Sequence, residues 1–184
     1  MVSSAAPSAA ARYGYRRPPR YGIGGERRSC GRAEAALSLL YADTSALLRA
    51  YFPDETDHAL LRARLLEGTE PVVTSELARV EFASAVRAAG LDRRVRAWRD
   101  LLGRFDEDSA PDGPVALLEL HPGTVLPAAR RLVLEHRLRT LDAIHLAVAI
   151  EECPAYAGGL DIVFVTRDGD QAAAARALGL TLLP

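Results

Sequence analysis

Short apolar runs of strand length alternate with helical patterns from residue 39 to the end of the 184-residue chain. The runs are separated by segments in which apolar residues recur every three or four positions. The predicted strands are 39–42, 71–74, 115–120, 161–166 and 180–183, and the predicted helices are 45–52, 55–67, 76–89 after a Ser75 cap, 92–105, 122–136, 141–151 after a Thr140 cap, and 171–178. This alternation predicts an α/β sandwich, with helices flanking a mainly parallel central sheet of four to five strands.

Residues 1–38 have a different composition from the rest of the chain. They are rich in Ala, Ser, Pro, Gly and Arg without any period, which is typical of a disordered extension. Seven arginines and two glutamates give this extension a net charge of +5, whereas residues 39–184 carry −6. We interpret residues 1–38 either as a basic arm that touches RNA or as the product of a start site assigned too far upstream. Residues 39–184 are predicted to form one domain.

Composition excludes several classes of protein. Hydrophobic residues make up 49% of the chain and charged residues 26%, as in ordinary globular proteins. No apolar run approaches the roughly 18 residues that cross a bilayer, and two cysteines provide neither a disulfide framework nor a zinc site, which favours a cytoplasmic location. The chain has no lysine, which excludes a Walker A phosphate loop and Schiff-base chemistry.

Two acidic residues directly follow predicted strands. Asp43 comes after the first strand and Asp168 after the fourth. The carboxyl ends of parallel strands are where open α/β sheets place their sites. Either residue can instead be a helix cap that accepts from free N–H groups. Asp170 and Asp161 are alternatives to Asp168, but Asp161 starts its strand and Asp170 lies beyond a glycine turn.

Two further acids lie on predicted helices. Glu81 has Leu77 and Ala85 one turn away on either side, so its carboxylate lies in an apolar stripe and needs a partner, either a metal ion or an arginine. Asp142 lies in a first helical turn, where the positive helix end by itself favours an acid. His145 lies one turn later, and such a histidine is more often part of the core than a ligand.

Four acids at one sheet edge would repel one another and raise each other's pKa unless a cation were present. Oxygen ligands without a Cys or His set select Mg²⁺ or Mn²⁺ over Zn²⁺. Such a site typically cleaves phosphodiester bonds, because the metal activates a water and offsets charge on the attacking and leaving oxygens. A local metal would also allow this acidic domain to bind nucleic acid.

The motifs Asp43-Thr44-Ser45-Ala46-Leu47, Val80-Glu81-Phe82, Leu141-Asp142-Ala143-Ile144-His145-Leu146-Ala147 and Val165-Thr166-Arg167-Asp168 occur in this order. Together they resemble PIN-domain ribonucleases, specifically the VapC toxins of bacterial toxin–antitoxin pairs. The resemblance covers residues 39–184 and implies a PIN-like three-layer sandwich. It also implies that Asp43, Glu81, Asp142 and Asp168 are catalytic, metal-binding acids. Phosphate or water contacts are expected from Thr44, Ser45 and Thr166.

The resemblance further implies a Mg²⁺- or Mn²⁺-dependent endoribonuclease that acts as a toxin. Family members commonly form homodimers and are silenced by a VapB-like antitoxin, whose C-terminal segment occupies the active-site groove. A catalytically inactive PIN-fold module that binds RNA or protein is the main alternative. A phosphatase with an aspartyl nucleophile is disfavoured, because Ser45 stands where such enzymes carry a second acid and no lysine is present to bind phosphate.

Overall fold

The computed structural model describes residues 37–92 and 94–184, and residues 36–184 form one compact unit. The predicted disordered extension lies outside the described residues, apart from its last two positions. In chain order the elements are β1 (Ser38–Ala42), α1 (Thr44–Tyr51), α2 (His58–Leu65), β2 (Val72–Ser75), α3 (Ala78–Leu91), α4 (Trp98–Asp108), β3 (Val115–Leu118), α5 (Pro122–His136), α6 (Thr140–Glu151), α7 (Pro154–Ala157), β4 (Asp161–Val165), α8 (Gly169–Ala177) and β5 (Thr181–Leu182). None of the helices in these two ranges is both long and apolar enough to span a membrane.

The five strands form one parallel sheet in the order β3-β2-β1-β4-β5. From β1 the chain steps outward through β2 to β3, and then returns to place β4 on the other side of β1. Connections therefore leave β1 and β4 in opposite directions, and the crevice between their carboxyl ends is where open α/β sheets bind ligands. The backbone N–H of Asp43 donates to the carbonyl of Val165 at 2.9 Å, which ties the two strand ends together.

Helices cover both faces of the sheet. Alternate β1 residues point to opposite faces, so Tyr41 packs into a core with α5, α6 and α8, while Leu40 packs into a second core with α1 to α4. Because both faces are covered, the central strand is almost wholly buried and, after its first residue Ser38, consists of apolar residues. The predicted three-layer sandwich around a parallel sheet is therefore confirmed.

Several predicted boundaries were wrong. Helix α3 begins at Ala78 rather than next to Ser75, whose hydroxyl accepts from the Leu77 N–H at 3.2 Å without capping the helix. Helix α4 begins at Trp98 rather than at residue 92, and ends at Asp108, three residues beyond its predicted end at residue 105. Thr140 is the first residue of α6 and not its cap.

The short helix α7 was not predicted. Gly90, which sequence analysis placed beyond α3, lies inside that helix, where a Cβ atom would come within 2.4 Å of the Trp98 ring. Glycine therefore allows α4 to pack closely on α3.

Candidate active site

The four acids predicted from the sequence lie on elements that meet at the carboxyl edge of the sheet. Asp43 follows β1, Asp168 follows β4, and Glu81 and Asp142 lie in the first turns of α3 and α6. Glu81 was expected in the interior of its helix. It lies in the first turn because α3 begins later than predicted, so the positive helix end also favours its charge. Within the described residues, the four acids form two linked pairs.

Asp43 is both a helix cap and a member of the acidic edge. Its side chain is only slightly exposed, and one oxygen, Oδ2, accepts from the Ser45 N–H at 3.1 Å and from the Thr166 hydroxyl at 3.3 Å. The other oxygen, Oδ1, lies 3.9 Å from Nε2 of His145. Capping therefore uses one carboxylate oxygen and directs the other towards His145 and Glu81.

Glu81 is paired with a buried histidine rather than with an arginine. Nε2 of His145, a residue that is 1% exposed, lies 2.5 Å from Oε2 of Glu81, and the Thr44 hydroxyl donates to the same oxygen at 2.7 Å. On its other side, Nδ1 of His145 lies 2.9 Å from the Tyr41 hydroxyl. Among the described residues, Oε1 of Glu81 has no hydrogen-bond partner, so one oxygen is held and the other is free.

The charges of this pair shift both pKa values. Burial raises the pKa of Glu81, but the hydrogen bond and positive charge of His145, together with the Thr44 hydroxyl, lower it more, and the pKa lies below its ordinary value. Burial lowers the pKa of His145, whereas Glu81 and the nearby charge of Asp43 raise it above its ordinary value. Each partner therefore stabilises the ionised form of the other.

Asp142 and Asp168 are joined by one arginine. Nε of Arg139 donates to Oδ2 of Asp142 at 2.8 Å, and Nη2 donates to Oδ2 of Asp168 at 2.9 Å. The pKa of Asp142 is nevertheless above its ordinary value, because burial and the charges of Asp168 and Asp43 together outweigh the opposing effect of Arg139. Asp168 also caps α8 by accepting from the Gln171 N–H at 2.9 Å. The alternative acid, Asp170, is exposed, and within the described part of the chain it forms no hydrogen bond with Arg139 or Asp142.

The three hydroxyl residues proposed to contact phosphate or water differ in their surroundings. Thr44 faces the acids through Glu81. Ser45 accepts from the Arg167 N–H at 2.9 Å and lies 3.3 Å from the Thr166 hydroxyl, so it connects the loops after β1 and β4. The buried Thr166 hydroxyl donates to Oε1 of Gln171 at 2.5 Å. Thr44 and Thr166 both contact a predicted metal-site acid, and the bond from Thr44 to Glu81 at 2.7 Å is shorter than that from Thr166 to Asp43 at 3.3 Å.

Sequence analysis missed Gln171 and Tyr41. Gln171 is fully buried, and its Nε2 donates to the Asp142 carbonyl at 3.0 Å, so it ties the start of α6 to the end of β4. The available signal was a glutamine that precedes four alanines in a predicted helix. Nothing in the sequence distinguished Tyr41 as a site residue, because a tyrosine within an apolar run is typical of an ordinary buried strand. His145 was expected in the core and is indeed buried, but it also contacts Glu81.

The donor chemistry of this edge suits a hard divalent cation. Carboxylate oxygens dominate, and Asp43 and Glu81 each have an oxygen that is not held by a short hydrogen bond among the described residues. The positions are not preassembled, however: within residues 37–92 and 94–184, no group of three His, Cys, Asp or Glu side chains is arranged to hold one ion. Asp142 and Asp168 are instead engaged by Arg139, which donates to one oxygen of each carboxylate.

The chain is an α/β sandwich around a parallel sheet, with acidic residues at the edge where β1 and β4 end. Open α/β proteins of this class bind their ligands at that edge. Comparison with protein families places the chain within that class. The PIN domain family profile matches residues 40–177, and the chain therefore belongs to the PIN domain family. PIN domains are generally metal-dependent nucleases, and those nucleases bind nucleic acid. A search of curated proteins found no match.

Proposed function

We propose that this protein is a Mg²⁺- or Mn²⁺-dependent endoribonuclease. The observation that carries the proposal is the position of Asp43, Glu81, Asp142 and Asp168, which come from two strand ends and two helix starts at the switch point of a PIN fold. A site with four carboxylates, and without a Ser or Cys nucleophile paired to a general base among the described residues, suits hydrolysis in which water is the nucleophile. Asp43, Glu81, Asp142 and Asp168 would hold the cation.

The protein's own residues prepare the site for that cation. When bound, a divalent cation activates a water for attack on phosphorus and offsets charge on the phosphate oxygens. His145 and Thr44 hold Oε2 of Glu81, and Oε1 has no hydrogen bond among the described residues. Ser45 and Thr166 hold the Asp43 side chain against β4, and Gln171 holds the start of α6. These contacts reduce the reorganisation that metal binding requires.

The toxin role extends this proposal. Ordered motifs similar to those of VapC toxins support it, and an acidic site of this kind would attract basic groups on the C-terminal segment of a VapB-like antitoxin. Homodimer formation belongs to the same proposal. The exposed Leu126 and Leu134 on α5 provide apolar surface for a second copy.

Cleavage of a single-stranded RNA by the purified chain tests the nuclease proposal. We expect endonucleolytic fragments with Mn²⁺ or Mg²⁺, no cleavage with EDTA, and no cleavage by Asp43→Asn. The fragments should carry no 2′,3′-cyclic phosphate, because the attacking oxygen comes from water and not from the ribose 2′-hydroxyl. Equal cleavage by wild type and Asp43→Asn, or cyclic phosphate ends, would contradict the proposal.

Induced expression in a bacterial host tests the toxin role. We expect growth arrest and discrete RNA fragments with the wild type and neither with Asp43→Asn, both proteins being produced at equal levels. Co-expression of a cognate antitoxin should restore growth. RNA cleavage in vitro without growth arrest in the host would support the nuclease proposal and contradict the toxin role.

A non-catalytic PIN-fold module that binds RNA or protein is the second candidate. The observation that favours it is the engagement of Asp142 and Asp168 by Arg139, which satisfies two of the four acids without a metal. Such a module would bind single-stranded RNA in EDTA with the same affinity as in Mn²⁺ and would never cleave it. Loss of RNA binding on metal removal would argue against it.

A further inference from the structure

Arg139 bridges two acids that come from different elements. It is the N-cap residue of α6, and its side chain is 77% exposed. The guanidinium donates through Nε to Asp142 and through Nη2 to Asp168 at the start of α8. It is the only cation within 4.0 Å of either carboxylate among the described residues.

The Arg139 bridge compensates for the negative charges of Asp142 and Asp168, which lie close together at the carboxyl edge of the sheet. Two carboxylates, Asp142 and Asp168, meet at one guanidinium, and Arg139 lies 2.8 Å from the first and 2.9 Å from the second, so it supplies the counter-charge for both. An exposed ion pair is weak, because the guanidinium regains water when it leaves and gives up little Coulomb energy. The bridge therefore stabilises the acids while remaining easy to open.

A divalent cation bound by Asp142 and Asp168 would compete with Arg139 for the negative charge of these two carboxylates. Oδ2 of Asp142 and Oδ2 of Asp168 are both occupied by N–H donors of Arg139, and a guanidinium left in place would also repel a metal ion. The two cations therefore exclude each other at these carboxylates.

We propose that Arg139 is a tethered counter-cation that competes with a divalent metal for Asp142 and Asp168, and thereby sets the metal affinity of the site. The proposal rests on the metal site of the proposed function and adds a residue that opposes metal binding. Arg139 is a positioning residue in this scheme, because it acts through the two acids.

Mn²⁺ binding to the full chain, measured by electron paramagnetic resonance and calorimetry, tests the competition. Arg139→Gln should bind Mn²⁺ roughly three- to tenfold more tightly than wild type, the range expected when one or two exposed ion pairs no longer compete. Arg137→Gln is the matched control. It removes the same charge two residues away, from an exposed position that forms no ion pair in the described part of the chain, and should bind Mn²⁺ as wild type does.

Melting temperature provides a second readout, independent of catalysis. In EDTA, Arg139→Gln should melt below wild type, because Asp142 and Asp168 have lost their counter-charge. The difference should close at saturating Mn²⁺, when the metal supplies that charge in both proteins. A merely structural arginine would leave the difference unchanged.

The outcomes separate the two proposals. Equal Mn²⁺ affinity in wild type and Arg139→Gln, or a melting difference that persists at saturating Mn²⁺, would overturn the competition and leave the nuclease proposal standing. If Arg137→Gln and Arg139→Gln both bound Mn²⁺ more tightly than wild type, the increase would result from the change in net charge, and the competition proposal would also be overturned. Absence of Mn²⁺ binding in every protein would overturn the metal site itself.

Discussion

Replacing Glu81 by glutamine separates the contribution of this residue to the stability of the metal-free protein from its proposed role in metal binding. The change keeps the size of the side chain and removes its charge. Oε2 of Glu81 now receives two charge-assisted hydrogen bonds, from His145 at 2.5 Å and from Thr44 at 2.7 Å. The amide oxygen of glutamine still accepts from both donors, but these bonds become weaker neutral ones. We therefore expect Glu81→Gln to destabilise the metal-free protein, and not to relieve repulsion among the acids.

The expected loss follows from the difference between charged and neutral hydrogen bonds. A bond to a charged group contributes about 1.5–3 kcal/mol and a neutral one about 1 kcal/mol, so two bonds lose about 2 kcal/mol after allowance for partial solvent exposure. For a chain of this length, that loss corresponds to a decrease of roughly 4–8 °C in melting temperature. Glu135→Gln, on an exposed position of α5, is the matched control and should melt with the wild type.

The pH dependence of this difference checks its cause. The pKa of Glu81 is lowered in the folded protein, so its contribution is present above the unfolded value of 4.5 and is lost as the pH falls through the folded pKa. The pKa of His145 is raised, so its contribution is full below 6.5 and is lost as the pH rises through the folded pKa. The melting difference should therefore be largest between pH 4.5 and 6.5.

Thermal melts followed by circular dichroism in EDTA provide the assay, first at about pH 6 and then at successively lower pH, because the Glu81 contribution is lost as the pH falls through its lowered pKa. The difference between wild type and Glu81→Gln should be present at the higher pH and shrink at the lower. Equal or higher melting of Glu81→Gln at about pH 6, with Glu135→Gln at the wild-type value, would refute the argument from the His145 pair. So would a difference that does not change with pH.

Three further substitutions have expected outcomes of different sign. Asp142→Asn should melt no lower than wild type in EDTA at neutral pH, because the raised pKa of Asp142 shows that its charge is disfavoured, and it should abolish RNA cleavage; a lower melting temperature would contradict this. Gln171→Leu should lose roughly 2–4 kcal/mol in urea unfolding, since it removes the two hydrogen bonds that the buried Gln171 side chain makes with the Thr166 hydroxyl and the Asp142 carbonyl. Thr74→Val should gain about 1 kcal/mol in the same assay, because the buried Thr74 hydroxyl has no hydrogen-bond partner among the described residues, and an unchanged midpoint would argue for a bridging water there.

The sequence by itself determined the fold class and the general location of the candidate site. Strand-length apolar runs and helical periods report which side chains are buried, and burial on alternating elements permits few arrangements other than a parallel sheet between helix layers. Asp43 and Asp168 were placed by the same logic, because a residue directly after a parallel strand must lie at the carboxyl edge of the sheet. Asp142 was placed by its position at a helix start.

Tertiary structure alone decided how the acids are paired. His145 meets Glu81 across 64 residues of sequence, and Arg139 meets Asp168 across 29. No local sequence pattern encodes such contacts. Hydrophobic periodicity predicts which side chains are buried, but it does not indicate which distant side chain each of them contacts. Whether a buried carboxylate has an oxygen free for a cation depends on those neighbours. The sequence therefore indicated which residues converge, and packing decided which of their oxygens are held by His145, Arg139 and Gln171.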